Sequence, residues 1–238
     1  MGRVGGLLRL LDHFLAPPVC PACREALVEG PEGICPACLH SLERLPEKRC
    51  PLCGGPLDTP LELCRECVQE RRPWTTAVCA FPYHGPVGDW LRALKYGGQL
   101  AFVPPLAREM ASAWNAYGRS RMDAQLVVPI PLHWRRIRER GFNQAGVLAK
   151  ALSRQLGIPY GEVLCRPHST GHQARLKGES RRRNLRGAFR VRSGKDIRGL
   201  RILVVDDVFT TGATLTDACR ALLAAGAAET AVMAAARA

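Results

Sequence analysis

Apolar and amphipathic segments alternate along the chain from residue 75 onward. Apolar runs of strand length are found at residues 75–83, 125–130, 189–191, 201–205 and 230–236. The run Arg201–Val205 is of the apolar type found in buried parallel strands. Helical segments separate these runs, at residues 87–96, 106–117, 143–156 and 213–225. This alternation predicts an α/β domain with a mainly parallel sheet flanked by helices.

The chain has a different character before residue 73, where cysteine, proline and glycine are frequent and long periodic segments are lacking. Eight of the eleven cysteines form four C-x-x-C pairs: Cys20/Cys23, Cys35/Cys38, Cys50/Cys53 and Cys64/Cys67. Two such knuckles present four thiolates near the tetrahedral geometry that zinc takes. We therefore predict one or two zinc ions in this region. Each would be structural, because all four ligands come from the protein.

The spacing leaves the pairing of the knuckles open. Sequential pairing would place one zinc on the first four of these cysteines and another on the last four, and the spacing also allows an interleaved arrangement. A disulfide framework is disfavoured because the chain is expected in the cytoplasm, where thiols stay reduced. A thioredoxin-type dithiol is disfavoured because the pairs lack a βαβ context.

Composition divides the chain into three predicted segments: an N-terminal amphipathic helix at 1–19, a zinc-binding module at 20–72 and the α/β domain at 73–238. Arg9, Asp12 and His13 interrupt the leucines of the first segment, unlike the core of a signal peptide. No run of about 18 apolar residues is found in the sequence. The protein is therefore expected in the cytoplasm, without membrane insertion.

The sharpest chemical motif is Ile202–Thr214, with the sequence ILVVDDVFTTGAT. Ligands of open α/β sheets bind beyond the carboxyl ends of strands, and backbone N–H groups at a helix N-terminus suit a phosphate. Gly212 would let the backbone approach closely. The carboxylates of Asp206 and Asp207 would accept hydrogen bonds from ribose hydroxyls, or approach a Mg2+ carried by the ligand's other phosphates. The motif predicts a ligand that combines sugar, phosphate and metal.

Positive charge is the main feature of the composition. The formal net charge is +13 and the pI is about 9.7, which favours polyanionic partners. Basic residues are dense from Arg175 to Arg201, where only Glu179 and Asp196 oppose them. This stretch could grip a phosphate, follow a nucleic-acid backbone or form a solvated charged face. Nearby aromatic residues are few, which weakens recognition by base stacking.

Three motifs together resemble a known family. The segment 202–214 resembles the signature loop of type I phosphoribosyltransferases, which use 5-phosphoribosyl 1-pyrophosphate. The chain also carries R-G-F-N-Q at 140–144, and Q-x-x-L followed by R-R-R-N-L within 173–185. Behind paired C-x-x-C knuckles, these motifs resemble the ComF family, in which a double zinc ribbon precedes a type I phosphoribosyltransferase-like domain. The family includes proteins linked to DNA uptake in natural competence. The resemblance runs from Cys20 to the end of the chain.

The resemblance implies roles for two carboxylates and three loops. Asp206 and Asp207 would hold the ribose hydroxyls at the catalytic centre. The 5-phosphate would be cradled by Thr210, Thr211, Gly212, Ala213 and Thr214. The pyrophosphate loop and a mobile loop would contribute Pro131, Leu132, His133, Arg181, Arg182 and Arg183. Thr210 stands where hypoxanthine–guanine enzymes carry a basic aspartate, which disfavours a 6-oxopurine acceptor.

Two functions follow as hypotheses. The first is a Mg2+-dependent glycosyltransferase that moves phosphoribose from phosphoribosyl pyrophosphate to an unidentified acceptor and is linked to DNA uptake. The second is a non-catalytic accessory protein of the DNA-uptake machinery that binds single-stranded DNA or a nucleotide. The intact carboxylates and phosphate loop favour the first, whereas the net charge and the zinc module favour nucleic acid.

Overall fold

The computed structural model describes residues 19–25, 34–57, 62–166 and 187–238. The predicted N-terminal helix at 1–19 lies outside these ranges, apart from its last residue. Among the helices within these ranges, none combines the length and the apolar character that crossing a membrane requires.

Four strands form the central sheet: β1 (Ala77–Pro82), β2 (Leu126–Pro129), β5 (Arg201–Phe209) and β6 (Glu229–Arg237). Their order is β1-β6-β5-β2, and every neighbouring pair is parallel. Two short strands, β3 (Leu164–Cys165) and β4 (Arg190–Val191), form a separate antiparallel pair. The predicted α/β fold with a mainly parallel sheet is confirmed.

Seven α-helices lie in the described ranges: α1 (Pro36–His40), α2 (Arg65–Gln69), α3 (Gly85–Gly97), α4 (Val103–Tyr117), α5 (Trp134–Arg140), α6 (Gln144–Leu156) and α7 (Ala213–Ala224). A 3-10 turn at Leu100–Phe102 precedes α4. Helix α5 was not predicted, because its sequence WRRIRER has no apolar periodicity. Capping residues define both ends of this helix. His133 Nδ1 accepts a hydrogen bond from the Arg135 amide at the start, and Gly141, with φ 83°, ends the helix.

The two faces of the sheet are covered by different elements, because side chains alternate along a strand. Leu203 and Val205 of β5 pack on one side with α3, α4 and α6. Ile202 and Val204 pack on the other side with α7. The cysteine-rich module contributes to both cores. It places Cys20, Ile34 and Leu42 in the first core, and Cys50, Cys53 and Cys67 in the second.

Strand β5 is longer than its apolar run. The sequence pattern ends the strand at Val205, whereas the structure continues it to Phe209. The extension is stabilised by parallel pairing with β6, in which Asp206 lies beside Ala234 and Phe209 beside Arg237. The two acids therefore lie on strand backbone and not in the loop.

Candidate functional site

The candidate site lies at the carboxyl edge of the sheet, where β2 ends beside Val205 and β5 continues four residues further, to Phe209. Pro129 pairs with Val205, and the Ile130 amide still donates to the Val205 carbonyl at 2.9 Å. The chain then leaves β2 through residues 130–133 and leaves β5 through residues 210–212. The predicted pyrophosphate and phosphate loops therefore both leave the sheet at its carboxyl edge, after two adjacent parallel strands.

The carboxyl groups of the Asp206–Asp207 pair have different partners. Asp206 Oδ1 accepts the Asp207 amide at 2.9 Å, and Asp207 Oδ1 accepts the Val208 amide at 3.0 Å. Asp207 Oδ2 makes no hydrogen bond within the described ranges, although its side chain is only 8% exposed. Lys95 Nζ, from the last turn of α3, lies 3.5 Å from that oxygen. One carboxylate oxygen is thus buried beside a cation and lacks a hydrogen-bond donor within the described ranges.

Burial is the largest influence on the pKa of Asp206. It raises the pKa of Asp206 well above the usual value, and the adjacent Asp207 raises it further, while Lys95 acts in the opposite direction. The cause is desolvation together with like charge in one site. Two adjacent acids in a protected edge are unfavourable for stability, and such arrangements are concentrated at functional sites.

The predicted phosphate loop begins at the exposed Thr210 and turns through Gly212 into α7. Gly212 has φ 76°, and a Cβ there would lie 2.8 Å from Phe209 Cζ and 3.1 Å from Arg72 Nη1. Only glycine fits this turn without strain. Thr211 Oγ1 accepts the Ala213 amide at 3.4 Å. The amides of the first turn of α7 have no acceptor within the helix and can bind an anion.

The loop after β2 is held by the R-G-F-N-Q motif. Asn143 Nδ2 donates to the Ile130 carbonyl at 2.9 Å, which ties the start of α6 to the start of the loop. His133 is buried, and its pKa is lowered by burial first and then by the charges of Arg166 and Arg135. A neutral imidazole whose Nδ1 accepts a hydrogen bond keeps its proton on Nε2, so it is a donor for a phosphate oxygen. Pro131 and Leu132 of the same loop are half-buried.

Three residues at this edge were not predicted from the sequence. Lys95 contacts Asp207, as described above. Arg72 donates from Nη1 to the Thr211 carbonyl at 3.1 Å. Asp217 of α7 accepts the amides of Gly187, Ala188 and Phe189 at 2.7, 2.8 and 3.2 Å, so it fixes the chain where it leads into β4. A buried acid in an apolar helix is the one signal that could have identified Asp217. Lys95 and Arg72 carry no local signal.

The predicted arginines of the mobile loop, Arg181, Arg182 and Arg183, lie outside the described residues. A second cluster, of basic and aromatic residues, lies on α5 and at the end of α3. Its aromatic rings are exposed, at 51% for Trp134 and 73% for Tyr96. Guanidinium groups lie over both rings at 5.1–5.4 Å, those of Arg135 and Arg138 over Trp134 and that of Arg140 over Tyr96. We call these five residues the aromatic–arginine surface.

The eight paired cysteines form two clusters, one of Cys20, Cys23, Cys35 and Cys38, and one of Cys50, Cys53, Cys64 and Cys67. The grouping is sequential. Within each cluster the sulfur atoms lie within 4.8 Å of one another. Two sulfur–sulfur distances, Cys23–Cys35 and Cys53–Cys64, are both 3.7 Å. Four thiolates around zinc at about 2.3 Å lie ~3.8 Å apart in a tetrahedron. Both four-cysteine sites therefore fit structural zinc.

Comparison with known proteins gives the same two parts. A double zinc ribbon domain matches residues 10–68, and a phosphoribosyl transferase domain matches residues 143–238. The solved glutamine phosphoribosylpyrophosphate amidotransferase from B. subtilis is 21% identical, with a TM-score of 0.36. The match covers 54% of this chain and 25% of that one, so it supports no further conclusion.

Relatives match most of the chain. The DNA utilization protein YhgH of Salmonella typhi is 33% identical over 180 residues, which are 74% of this chain and 78% of the relative. Competence protein F of Haemophilus influenzae is 31% identical over 189 residues, or 78% of this chain and 82% of the relative. With a double zinc ribbon followed by a phosphoribosyl transferase domain, and with relatives of this identity and coverage, the chain belongs to the ComF family.

Proposed function

We propose that this protein binds 5-phosphoribosyl 1-pyrophosphate together with Mg2+ and transfers phosphoribose to an acceptor. One observation carries the proposal: Asp206, Asp207 and the Gly212 turn into α7 lie together at the carboxyl edge of a parallel sheet. The carboxylates suit vicinal hydroxyls and the helix start suits a phosphate, so the two halves of ribose 5-phosphate have separate partners. The match to a phosphoribosyl transferase domain spans all of these residues.

In this proposal each group has a defined task. The amides that open α7 bind the 5-phosphate, and Thr211 and Thr214 add hydroxyl groups. Asp206 and Asp207 accept hydrogen bonds from the ribose hydroxyls, and ligand binding uncovers Asp207 Oδ2, which is buried and lacks a hydrogen bond within the described ranges. His133 donates from Nε2 to the pyrophosphate. Lys95 keeps the acid pair partly neutralised when no ligand is bound.

In the proposed transfer, the bond between the anomeric carbon and the pyrophosphate oxygen breaks, and pyrophosphate leaves with the electron pair. The acceptor forms a bond to the same carbon and gives up a proton. When bound, Mg2+ supplies charge neutralisation for the departing pyrophosphate. The protein contributes orientation and preorganised donors. The carboxylates suit ribose hydroxyls better than the metal, because Lys95 already provides a positive charge beside them.

The test is calorimetric titration of zinc-loaded protein with phosphoribosyl pyrophosphate, with and without Mg2+. We expect Mg2+-dependent binding that Asp206→Asn/Asp207→Asn weakens at least about tenfold, because hydrogen bonds to charged groups are lost. The matched control is Asp89→Asn/Asp196→Asn, in which both acids are exposed, at 72% and 64%. Absence of binding to the folded wild-type protein would contradict the proposal.

We also propose a link to DNA uptake in the cytoplasm. The relatives are named competence protein F and DNA utilization protein, which supports the link. Zinc-bound cysteines need reduced thiols, which supports the compartment.

A second candidate function is binding of single-stranded nucleic acid. The observation that favours it is the aromatic–arginine surface, since exposed rings can stack on bases while guanidinium groups contact phosphates. The sequence alone weakened this hypothesis because aromatic residues are few. The structure exposes two of them beside three arginines.

The test is the salt dependence of binding to an unstructured oligonucleotide. Each arginine that contacts a phosphate contributes about 0.7 to the slope of log K against log salt. We expect Arg138→Gln to reduce the magnitude of the salt slope by about 0.7. We expect Trp134→Ala to weaken binding about tenfold and to leave the salt slope unchanged. Arg154→Gln, at an exposed position of α6, is the matched control for charge. Equal effects of Arg138→Gln and Arg154→Gln would argue against a defined surface.

A further inference from the structure

Arg72 has a buried guanidinium group. It lies between β1 and the second four-cysteine site, which we also call the second cysteine cluster (Cys50, Cys53, Cys64 and Cys67). Its side chain is 4% exposed, and Nη1 donates to the Thr211 carbonyl at 3.1 Å and lies 3.2 Å from Glu70 Oε2. The Nη1 atom also lies 3.1 Å from where a Cβ of Gly212 would be. A buried charge of this kind is costly unless it is paired. The ion pair with Glu70 offsets part of this cost, and the hydrogen bond to Thr211 holds Arg72 against one peptide of the predicted phosphate loop.

The hydrogen bond fixes the orientation of that peptide. In a trans peptide the carbonyl and the following N–H point in opposite directions. When the Thr211 carbonyl is held toward Arg72, the Gly212 amide points away from Arg72. A rotated peptide would instead direct a carbonyl oxygen at the phosphate, which repels an anion. Arg72 thus keeps the loop in the form that accepts phosphate.

Arg72 is itself held by the second cysteine cluster, through Trp74. The guanidinium lies 5.6 Å from the centre of the Trp74 ring, and Trp74 packs edge-on against Phe209 at 6.0 Å. The indole Nε1 donates to the Leu52 carbonyl, inside the Cys50–Cys53 knuckle, at 2.8 Å. The same knuckle contacts the sheet directly, since the Ala77 amide donates to the Pro51 carbonyl at 2.7 Å.

The two cysteine clusters differ in their relation to the loop. Cys50, Cys53 and Cys67 share one core with α7 and Phe209. Cys20 belongs to the core on the opposite face of the sheet. The first cluster therefore provides an internal control for any effect of the second.

We propose that the second four-cysteine site positions the phosphate loop through Trp74 and Arg72, so that Arg72 is a positioning residue for the 5-phosphate. This inference rests on the proposed function for the identity of the ligand. It goes beyond that function because it makes the zinc ribbon part of the ligand site. Loss of metal from the second site then weakens phosphate-ester binding, whereas loss from the first does not.

The first experiment compares Arg72→Met with Arg71→Met, a neighbour whose side chain is exposed. Calorimetry uses two probes, ribose 5-phosphate and pyrophosphate with Mg2+. We expect Arg72→Met to weaken ribose 5-phosphate about tenfold or more, since a hydrogen bond to a charged group is lost, and to leave pyrophosphate unchanged. Equal losses for both probes indicate a general structural effect and would overturn the inference, as would no loss for either.

The second experiment needs no ligand. Hydrogen exchange of the Thr216 amide, which donates to the Gly212 carbonyl at 2.8 Å, is measured for Arg72→Met, Trp74→Phe, Cys64→Ser and Cys38→Ser, with the zinc content of each. Trp74→Phe keeps an aromatic ring and the cysteines but removes the donor to Leu52. We expect about tenfold faster exchange in the first three variants and unchanged exchange in Cys38→Ser. Unchanged exchange in Arg72→Met and Trp74→Phe would overturn the inference.

These readouts separate the inference from the proposed function. If wild-type protein binds neither probe, the proposed function fails, while the hydrogen-exchange comparison still decides whether the second site holds the loop.

Discussion

Asp206 and Asp207 are adjacent in the chain, and their carboxyl groups are close enough to interact with each other and with Lys95. Burial and the neighbouring acid raise the pKa of Asp206. Lys95 Nζ lies 3.5 Å from the buried Asp207 Oδ2. The pair of acids therefore lowers the stability of the folded protein, and this loss in the free energy of unfolding can be measured without a ligand.

Lys95→Met is expected to lower the free energy of unfolding at pH 7 by about 1–2 kcal/mol. The variant leaves a buried carboxylate without its cation, and the 28% exposure of Lys95 keeps the loss below that of a fully buried pair. Urea denaturation measures the change. Lys150→Met, at an exposed position of α6, should have little effect. Equal stability of the two variants would show that Lys95 does not stabilise the acid pair.

Asp206→Asn is expected to make the ligand-free protein more stable at neutral pH. An acid whose pKa is raised on folding binds more protons in the native state, so stability falls as pH rises from about 3.9 toward the raised value. Asparagine has no such penalty, and its advantage should vanish near pH 4. Denaturation midpoints across this range test the sign. Asp196→Asn should show the opposite trend, because Arg198 lowers the pKa of Asp196 to about 2.

At the scale of elements, the site depends on how strands lead into helices. The loop after β2 is tied to α6 by Asn143, and the loop after β5 turns into α7 at Gly212. The segment leading into β4 is held by Asp217 of α7. Helix α7 thus anchors one end of a second chain segment while its own first turn faces the candidate phosphate site.

Gly212→Ala is expected to destabilise the protein more than Gly157→Ala. Both glycines have positive φ, 76° and 68°, so both variants incur a backbone cost of about 1–2 kcal/mol. A Cβ at Gly157 meets nothing within 4 Å, whereas one at Gly212 would lie 2.8 Å from Phe209 Cζ. Thermal denaturation of both variants isolates the steric contribution. Equal losses would mean that the loop relaxes around the added methyl group.

At the scale of the whole molecule, the cysteine-rich module is packed against the sheet and does not stand apart from it. Its residues enter both hydrophobic cores, and the Thr76 hydroxyl and Ala77 amide both donate to Pro51, at 3.0 and 2.7 Å. Arg49 reaches the Cys79 carbonyl of β1 at 3.2 Å. The zinc ribbon is thereby a structural neighbour of the strand edge as well as a metal-binding unit.

Removal of zinc by a chelator is therefore expected to lower the melting temperature of the α/β domain and not only to unfold the cysteine-rich module. Structural zinc sites contribute directly to folding, and here their core is continuous with that of the sheet. Thermal unfolding is followed by tryptophan fluorescence and far-ultraviolet circular dichroism, with zinc restored as the control. A sheet transition that is insensitive to the chelator would show that the two parts unfold independently.

Much of the site could be predicted from the sequence because it is built from local signals. The alternation of apolar runs and helices determined the fold class, and four C-x-x-C pairs determined the zinc chemistry. Asp206, Asp207 and the Gly212 turn could be predicted as a ligand site because strand, acids, turn and helix follow one another within the segment Ile202–Thr214. The length of β5 was underestimated, because its last residues are held by pairing with β6 and not by apolar character.

What only the tertiary structure decided are contacts between residues far apart in the chain. The sequential grouping of the cysteines was one of two arrangements that the spacing allowed. Arg72 and Thr211 are separated by 139 positions, and Lys95 reaches Asp207 from a different helix. Neither Arg72 nor Lys95 lies in a sequence motif, because each depends on a contact with a single atom from a distant part of the chain. Local periodicity and residue spacing predict the conformation of the nearby backbone. Contacts between residues that are distant in the chain form only when the sheet has assembled.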